Sequence, residues 1–314
     1  MVITRSDSHR RMSWLRMLAV IALSASWPAL TATAAEQRCF KSEQDAVEAL
    51  VEATRGNQTQ LLLQILGPAG AKLIYSGDPV ADRNGRTHFV AAYERVHRIE
   101  TDGPDKAMLI VGDEDWPLPI PLVRTGGEWR FDTKAGAQEI LNRRVGRNEL
   151  GVLQVCRAYV QAQREYASLQ ASLGRGREYA QHFHSRSGRH DGLYWPVMAG
   201  EPESPLGPLV GQAQAAGYTG DGIPHPYYGY YYRILRRQGA HAPGGAKDYI
   251  VDGRMSGGFA LLAYPAEYGD SGVMTFMVND QGIVFEKNLG PRTAALARAI
   301  EQYNPDESWR VPAD

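Results

Sequence analysis

A serine set between aspartate and glycine stands at Gly269-Asp270-Ser271-Gly272, a setting in which hydrolases can hold a nucleophile. Acyl transfer from such a serine needs a general base and an orienting carboxylate at fixed geometry. No histidine segment suited to that partnership is present, and Val273 follows where a further glycine would be expected. The stretch therefore reads as a glycine turn between strands. His182 and His184 alternate, with His190 close by. Alternate residues of a strand share a face, and paired neutral imidazoles can ligate a metal. The flanking Ser185-Arg186-Ser187-Gly188-Arg189 has the composition of a loop and brings no carboxylate cluster, so solvated histidines are expected. There is no His-Glu-x-x-His and no cysteine pair at zinc spacing, and neither a metal nor a cofactor is expected.

Carboxylates gather at Asp113, Glu114 and Asp115, ahead of Trp116. Glycoside cleavage needs two carboxyl groups roughly 5–10 Å apart across a cleft. Sequence neighbours on an extended chain point apart, so an acidic surface turn is the better reading. Gly244-Gly245-Ala246-Lys247 lacks the helix that a phosphate loop requires and reads as a β-turn. Arg143, Arg144 and Arg147 could meet an anionic partner, or could pair with Glu139 and Glu149. The most unusual stretch is Tyr227-Tyr228-Gly229-Tyr230-Tyr231-Tyr232. On a strand, Tyr228, Tyr230 and Tyr232 would share one face, with Tyr227 and Tyr231 on the other, provided Gly229 does not shift the register. A stacking platform needs rings exposed on one face. Aromatic residues are also favoured strand residues, so a structural role leads, with binding through Tyr227 or Tyr228 at the rim as the alternative.

The segments that must position these groups begin after residue 35. Before it, Arg5, Arg10, Arg11 and Arg16 precede an apolar run from Met17 to Leu23 and small residues at Ala32 and Ala34. That order is expected of a secretory signal peptide over residues 1–35. No later stretch reaches the roughly 20 apolar residues of a spanning helix, so no stable membrane span is expected after cleavage. Lys and Arg total 34 against 35 Asp and Glu, for a net charge of −1, which gives no electrostatic case for nucleic acid. Export leads to an oxidising compartment, so the only cysteines, Cys39 and Cys156, are candidates for a disulfide, with two buried thiols as the alternative.

Ser42 with Asp45 marks a helix start, and apolar residues at helical spacing continue through Val51. Further helices are expected at Thr59–Leu66 and around His88–Val96. Strands follow, with Gly126-Gly127 as a hairpin turn and Pro117, Pro119 and Pro121 suiting an edge. Asn148 is expected to cap a long helix running to Ala167. The last third reads as antiparallel strands, with a turn at Asn279–Gly282, and ends in a helix beginning near Pro291. The class is α+β. An amino-terminal domain of helices and a curved antiparallel sheet, cystatin- or NTF2-like in element order, is expected over 36–145. A carboxy-terminal domain, a long helix on an antiparallel sheet, is expected over 146–314.

The stretches GDPVADR, DEDWPLPIPLV, EILNRRVGRNEL, DGLYWP, PYYGYYYRIL and GGFALLAYPAEYGDSGVMTFMVNDQGIVFEKNLGP carry a resemblance to the DUF2950 family of exported bacterial proteins. The resemblance implies no catalytic residue. The carboxy-terminal half is also similar, more weakly, to the globular heads of type IV pilins and pseudopilins, although the polar AGAQEILNRRV stands where a pilin has its apolar half-helix. Together these expectations describe a periplasmic or secreted, non-enzymatic binding or assembly module, with an envelope protein or glycan as partner. Two rivals are a hydrolase acting on envelope polymer and a sensor with an apolar pocket lined by Tyr93, Trp116 and Trp129.

Overall fold

Local capping chemistry starts the first helices. In the computed structural model, which describes residues 37–197, 203–218 and 225–312, the Ser42 hydroxyl accepts from the Asp45 amide at 3.0 Å and opens α1 (Glu43–Arg55). The expected signal segment, 1–35, lies outside the described residues. α2 (Thr59–Leu66) stops at Gly67-Pro68, and a single turn, α3 (Ala71–Ile74), follows. Asp78 caps α4 (Pro79–Arg95), with Pro79 at the first helical position, where its missing N–H costs nothing.

The next strands are β1 (His97–Thr101), β2 (Lys106–Val111), β3 (Trp116–Pro117), β4 (Leu122–Thr125) and β5 (Glu128–Phe131). They form one antiparallel sheet, ordered β1-β2-β4-β5, with β3 also hydrogen-bonded to β2. Gly126 and Gly127 both take positive φ and close the β4–β5 hairpin, pairing Thr125 with Glu128. Only Pro117 of the three alternating prolines lies in a strand. Leu118 and Ile120, between them, are buried.

α5 (Thr133–Ser172) is 40 residues of unbroken helix, about 60 Å long. The sequence suggested a start at Asn148. The start is instead at Asp132, whose carboxylate accepts from the Ala135 amide at 3.3 Å. Gly146 does not stop the helix, since its neighbourhood is open and an interior glycine costs only about 1 kcal/mol. The boundary expected at 145/146 thus falls inside α5. After α6 (Gly207–Ala215) come β6 (Tyr230–Leu235), the short ribbons β7 (Arg237–Gln238) with β8 (Lys247–Asp248) and β9 (Ile250–Val251) with β10 (Arg254–Met255), then β11 (Ala260–Pro265), β12 (Met274–Asn279) and β13 (Val284–Asn288). The main carboxy-terminal sheet is antiparallel, ordered β13-β12-β11-β6. Nearly every residue of β11 and β12 is buried, and both α5 and α7 (Thr293–Ala299) pack against this sheet.

The result is an α+β fold with two hydrophobic cores inside the unit Ala35–Asp314. One lies between α1, α2, α4 and the first sheet; the other lies between α5 and the second sheet. No helix of the described residues is long and apolar enough to cross a membrane.

Two further expectations need correction. Tyr227 and Tyr228 are not strand residues. Tyr228 (φ 50°) and Gly229 (φ 69°) are consecutive left-handed residues, and Tyr227 and Tyr230 exchange backbone bonds of 2.9 and 3.1 Å across them. This is a two-residue turn of the primed type, which glycine at its second position makes accessible, so the tyrosine run folds back on itself before β6. Cys39 and Cys156 are free thiols. Cys156 is fully buried in the carboxy-terminal core, whereas Cys39 is exposed beside the amino-terminal one, with its Sγ 3.8 Å from the Gln37 carbonyl.

Candidate functional site

A cavity of about 390 Å³ opens within the amino-terminal half. Its apolar wall is supplied by Leu50 of α1, Leu62 of α2 and Phe89 of α4, by Leu118 and Ile120 on the strand-linking segment, and by Ile140 of α5. Amphipathic periodicity accounts for the helical members, since each lies on the stripe its helix turns toward the sheet. The volume falls within the roughly 300–1,000 Å³ of ordinary small-molecule sites.

The polar wall comes from α4 and α5. Arg86, Arg143, Arg144 and Arg147 face it, against a single carboxylate, Asp82. Arg144 donates to the carbonyls of Lys72 and Leu73 at 2.7 and 2.6 Å, and Arg86 Nη1 donates to that of Ile74 at 3.2 Å. These are the last carbonyls of α3, which have no partner within so short a helix. Burial pulls the Arg144 guanidinium below its usual range, the charge of Arg147 adds to that, and Asp82 opposes it. Arg143 donates to Glu139 at 2.6 Å and sits 5.7 Å from the centre of the Trp116 ring. Asp82 accepts from the Ser76 amide at 3.0 Å. Arg86 Nε is buried and has no hydrogen-bond partner among the described residues, and Arg147 is exposed and makes no hydrogen bond or ion pair among them. Chemically, the arrangement can enclose an apolar body and offer guanidinium groups to whatever is attached to it.

Just beyond the cavity, four separate stretches of sequence meet at the middle of α5. Asn148, which also lines the cavity, donates to the Ser271 carbonyl at 2.9 Å. Glu149 accepts from the amides of Val273 and Met274, both at 2.9 Å, and lies 3.3 Å from the Tyr230 hydroxyl. Among the described residues Glu149 makes no ion pair with arginine; its Oε1 takes these amides instead. The Tyr228 ring lies directly over Gly151, where an added Cβ would come within 2.6 Å of it. Asp78, only 1% exposed, accepts from Ala81 at 3.0 Å, from the Tyr218 hydroxyl at 2.8 Å and from the Gly229 amide at 3.1 Å. The Ser271 hydroxyl is spent within its own turn, on the Glu267 amide and carbonyl at 2.9 and 3.1 Å.

The residues singled out from sequence are therefore dispersed. Trp116 lines the cavity. Tyr93 does not; it stacks on His97 at 3.7 Å and borders a more open groove of about 760 Å³ beside Arg38, Cys39 and Arg55. Trp129 is buried core and exchanges backbone bonds with Phe40, both 2.8 Å. Tyr227 and Tyr228 pack on each other at 4.6 Å, and Tyr227 on Tyr218 at 5.1 Å. Asp113 and Asp115 sit on an exposed turn and pair with Arg95 and Arg98. His182, His184 and His190 are exposed, and His190 stacks on Trp195 at 4.4 Å. Among the described residues, no group of three His, Cys, Asp or Glu side chains is placed to hold a metal ion. Sequence reasoning missed Arg86, Asp78 and Tyr218. Of these, only Asp78 carried a signal, the Asp-Pro pair at a helix start.

Neither the curated proteins nor the solved structures contain a match to this chain. A family model does match, over residues 37–311 and so over both cores and the cavity between α1, α4 and α5: the chain belongs to DUF2950, a family of proteins of unknown function.

Proposed function

We propose that this protein is exported, to the periplasm or beyond the cell, and acts there as a non-enzymatic binding module whose recognition site is the cavity under α4 and α5. The observation that carries the reading is the composition of the cavity wall: it is mostly apolar, and its one carboxylate, Asp82, is already engaged by the Ser76 amide. A hydrolytic site would need titratable groups converging on a substrate position, and the buried acids Asp78 and Glu286 are spent on backbone and arginine partners outside the cavity. A pocket for a small molecule is favoured over recognition of an envelope protein or glycan by the tyrosines, because Tyr227 and Tyr228 stack on each other, on Tyr218 and over Gly151.

Native mass spectrometry of the protein purified from a periplasmic extract tests this. A small-molecule adduct is expected on the natural chain and not on Leu62→Trp, which fills the cavity. A bare chain in repeated preparations, with no extract fraction raising its thermal midpoint, would refute the reading.

A further inference from the structure

We infer that the ligand of this cavity is a single-chain amphiphile with an anionic head, a carboxylate or a phosphate, its chain lying on Leu62, Leu118, Ile120 and Ile140 and its head between Arg86 and Arg147. The inference rests on the cavity being the recognition site. Its first support is the charge balance. Glu139 is paired with Arg143, and Asp82 is the one carboxylate in the wall beside four arginines. The groups that hold Arg144 and Arg86 are carbonyls. Carbonyls satisfy N–H donors but do not neutralise charge, so this end of the cavity keeps a cationic excess inside a chain whose net charge is −1.

The second support is the free donors. Arg86 gives Nη1 to the Ile74 carbonyl at 3.2 Å and makes no ion pair among the described residues, so its charge is unpaired there. Arg147 offers a second fork that no side chain or carbonyl of the described residues engages. Paired guanidinium donors match the oxygens of a carboxylate or phosphate. The third support is the apolar wall behind them, which a free inorganic anion would leave uncovered. A head bound at the arginines and a chain bound on the leucines use both halves of the wall at once.

The test uses purified protein passed over a lipophilic resin to remove bound small molecules, titrated calorimetrically with decanoate, decyl phosphate, decanol and inorganic phosphate. Decanoate or decyl phosphate is expected to bind about tenfold or more tightly than decanol, the effect of one or two charge-assisted hydrogen bonds. The ratio of the two anions tells which head is preferred. Arg147→Gln is expected to erase most of that margin and leave decanol binding unchanged; since Arg147 supports no bond in the fold, the variant should fold normally. Arg86→Gln serves as the second variant. Equal binding of decanol and the two anions, or anion binding indifferent to Arg147→Gln, would overturn the anionic head while leaving the cavity reading in place. Inorganic phosphate binding as tightly as decyl phosphate would overturn the amphiphile. Failure of every decyl probe on the stripped protein, where the unstripped preparation shows a native adduct, would overturn the class alone; failure where the unstripped preparation shows none would overturn both.

Discussion

Asp78 is the group whose removal should be felt furthest. Its carboxylate is buried and accepts three hydrogen bonds, one from the first turn of α4 and two, from Tyr218 and Gly229, across 140 and 151 residues of sequence. Asp78→Ala removes a helix cap, worth about 1 kcal/mol. It also leaves the buried Gly229 amide without an acceptor, worth about 1–3 kcal/mol. The Tyr218 hydroxyl is half-buried and can turn toward water, so its share is smaller. Together the loss should be about 2–4 kcal/mol. Urea unfolding followed by tryptophan fluorescence measures it, alongside Asp78→Asn, Tyr218→Phe and the double variant. Asp78→Asn keeps an oxygen for the Ala81 amide but sets an N–H against that of Gly229, so it should fall between the natural chain and Asp78→Ala. Tyr218→Phe should cost about 1 kcal/mol, and the cycle should show a coupling of similar size. Because the carboxylate joins the start of α4 to the turn before β6, its loss should also broaden the transition as the two cores begin to unfold separately. An Asp78→Ala loss under about 1 kcal/mol, or strict additivity with Tyr218→Phe, would refute the reasoning.

The free thiols predict unequal reactivity toward Ellman's reagent without reductant: Cys39 is exposed and should react at once, whereas burial pushes the Cys156 thiol up to about 12 and should hold it back until the chain unfolds. Finding no reactive thiol in the unfolded, unreduced protein would show a disulfide and contradict the geometry. Alkaline pH should destabilise the fold. Burial raises Tyr166 and Tyr303 to about 12 and Tyr159, Tyr230 and Tyr249 higher still, while an unfolded tyrosine titrates near pH ~10. Above pH ~10 the unfolded chain therefore holds fewer protons than the folded one, so stability is full below that point and falls as pH rises through the folded values. Urea midpoints that stay level past pH ~10, or tyrosinate absorbance of the native protein rising as in free tyrosine, would count against this burial.

Signals that act over three or four residues were legible in the sequence. Ser42 with Asp45 opens α1 as expected, Gly126-Gly127 closes its hairpin, and the Gly282 amide closes the Asn279 turn at 2.9 Å. The near-complete burial of β12 fits the apolar residues that stand at both odd and even positions from Val273 to Val278, whereas β13, its hairpin partner, is buried only at alternate residues. What failed depended on distant partners. Asn148 resembles a helix cap in isolation, yet its amide is taken by Ser271, 123 residues on, and α5 runs through it. Gly229 decides between strand and turn, and its φ is set by contacts with Asp78 and Asn148 that no local pattern announces. Three of the cavity's four arginines stood together in Asn142-Arg143-Arg144-Val145-Gly146-Arg147 and were read as meeting an anionic partner or pairing with acids. Their place opposite Leu50, Leu62 and Phe89 depends on how α1, α2 and α4 stack, which periodicity alone does not encode.

The tyrosine run and the cavity are parts of one arrangement, because both rest on α5. Glycine is required where other elements press against the knot at its middle: an added Cβ would come within 2.6 Å of the Tyr228 ring at Gly151, 2.7 Å of Asn148 Nδ2 at Gly229 and 2.0 Å of the Tyr230 hydroxyl at Gly272. These approaches, with Glu149 on the amides of Val273 and Met274, fix the rotation and height of the helix against the second sheet. The same few turns of α5 carry Arg143, Arg144 and Arg147 toward the cavity. Residues three and four apart lie on one helical face, so a helix held at Asn148 and Gly151 has no freedom left to turn its guanidinium groups elsewhere. The tyrosines therefore act on the cavity only through α5. They clamp the helix that presents the arginines, and they need no exposed ring to do it.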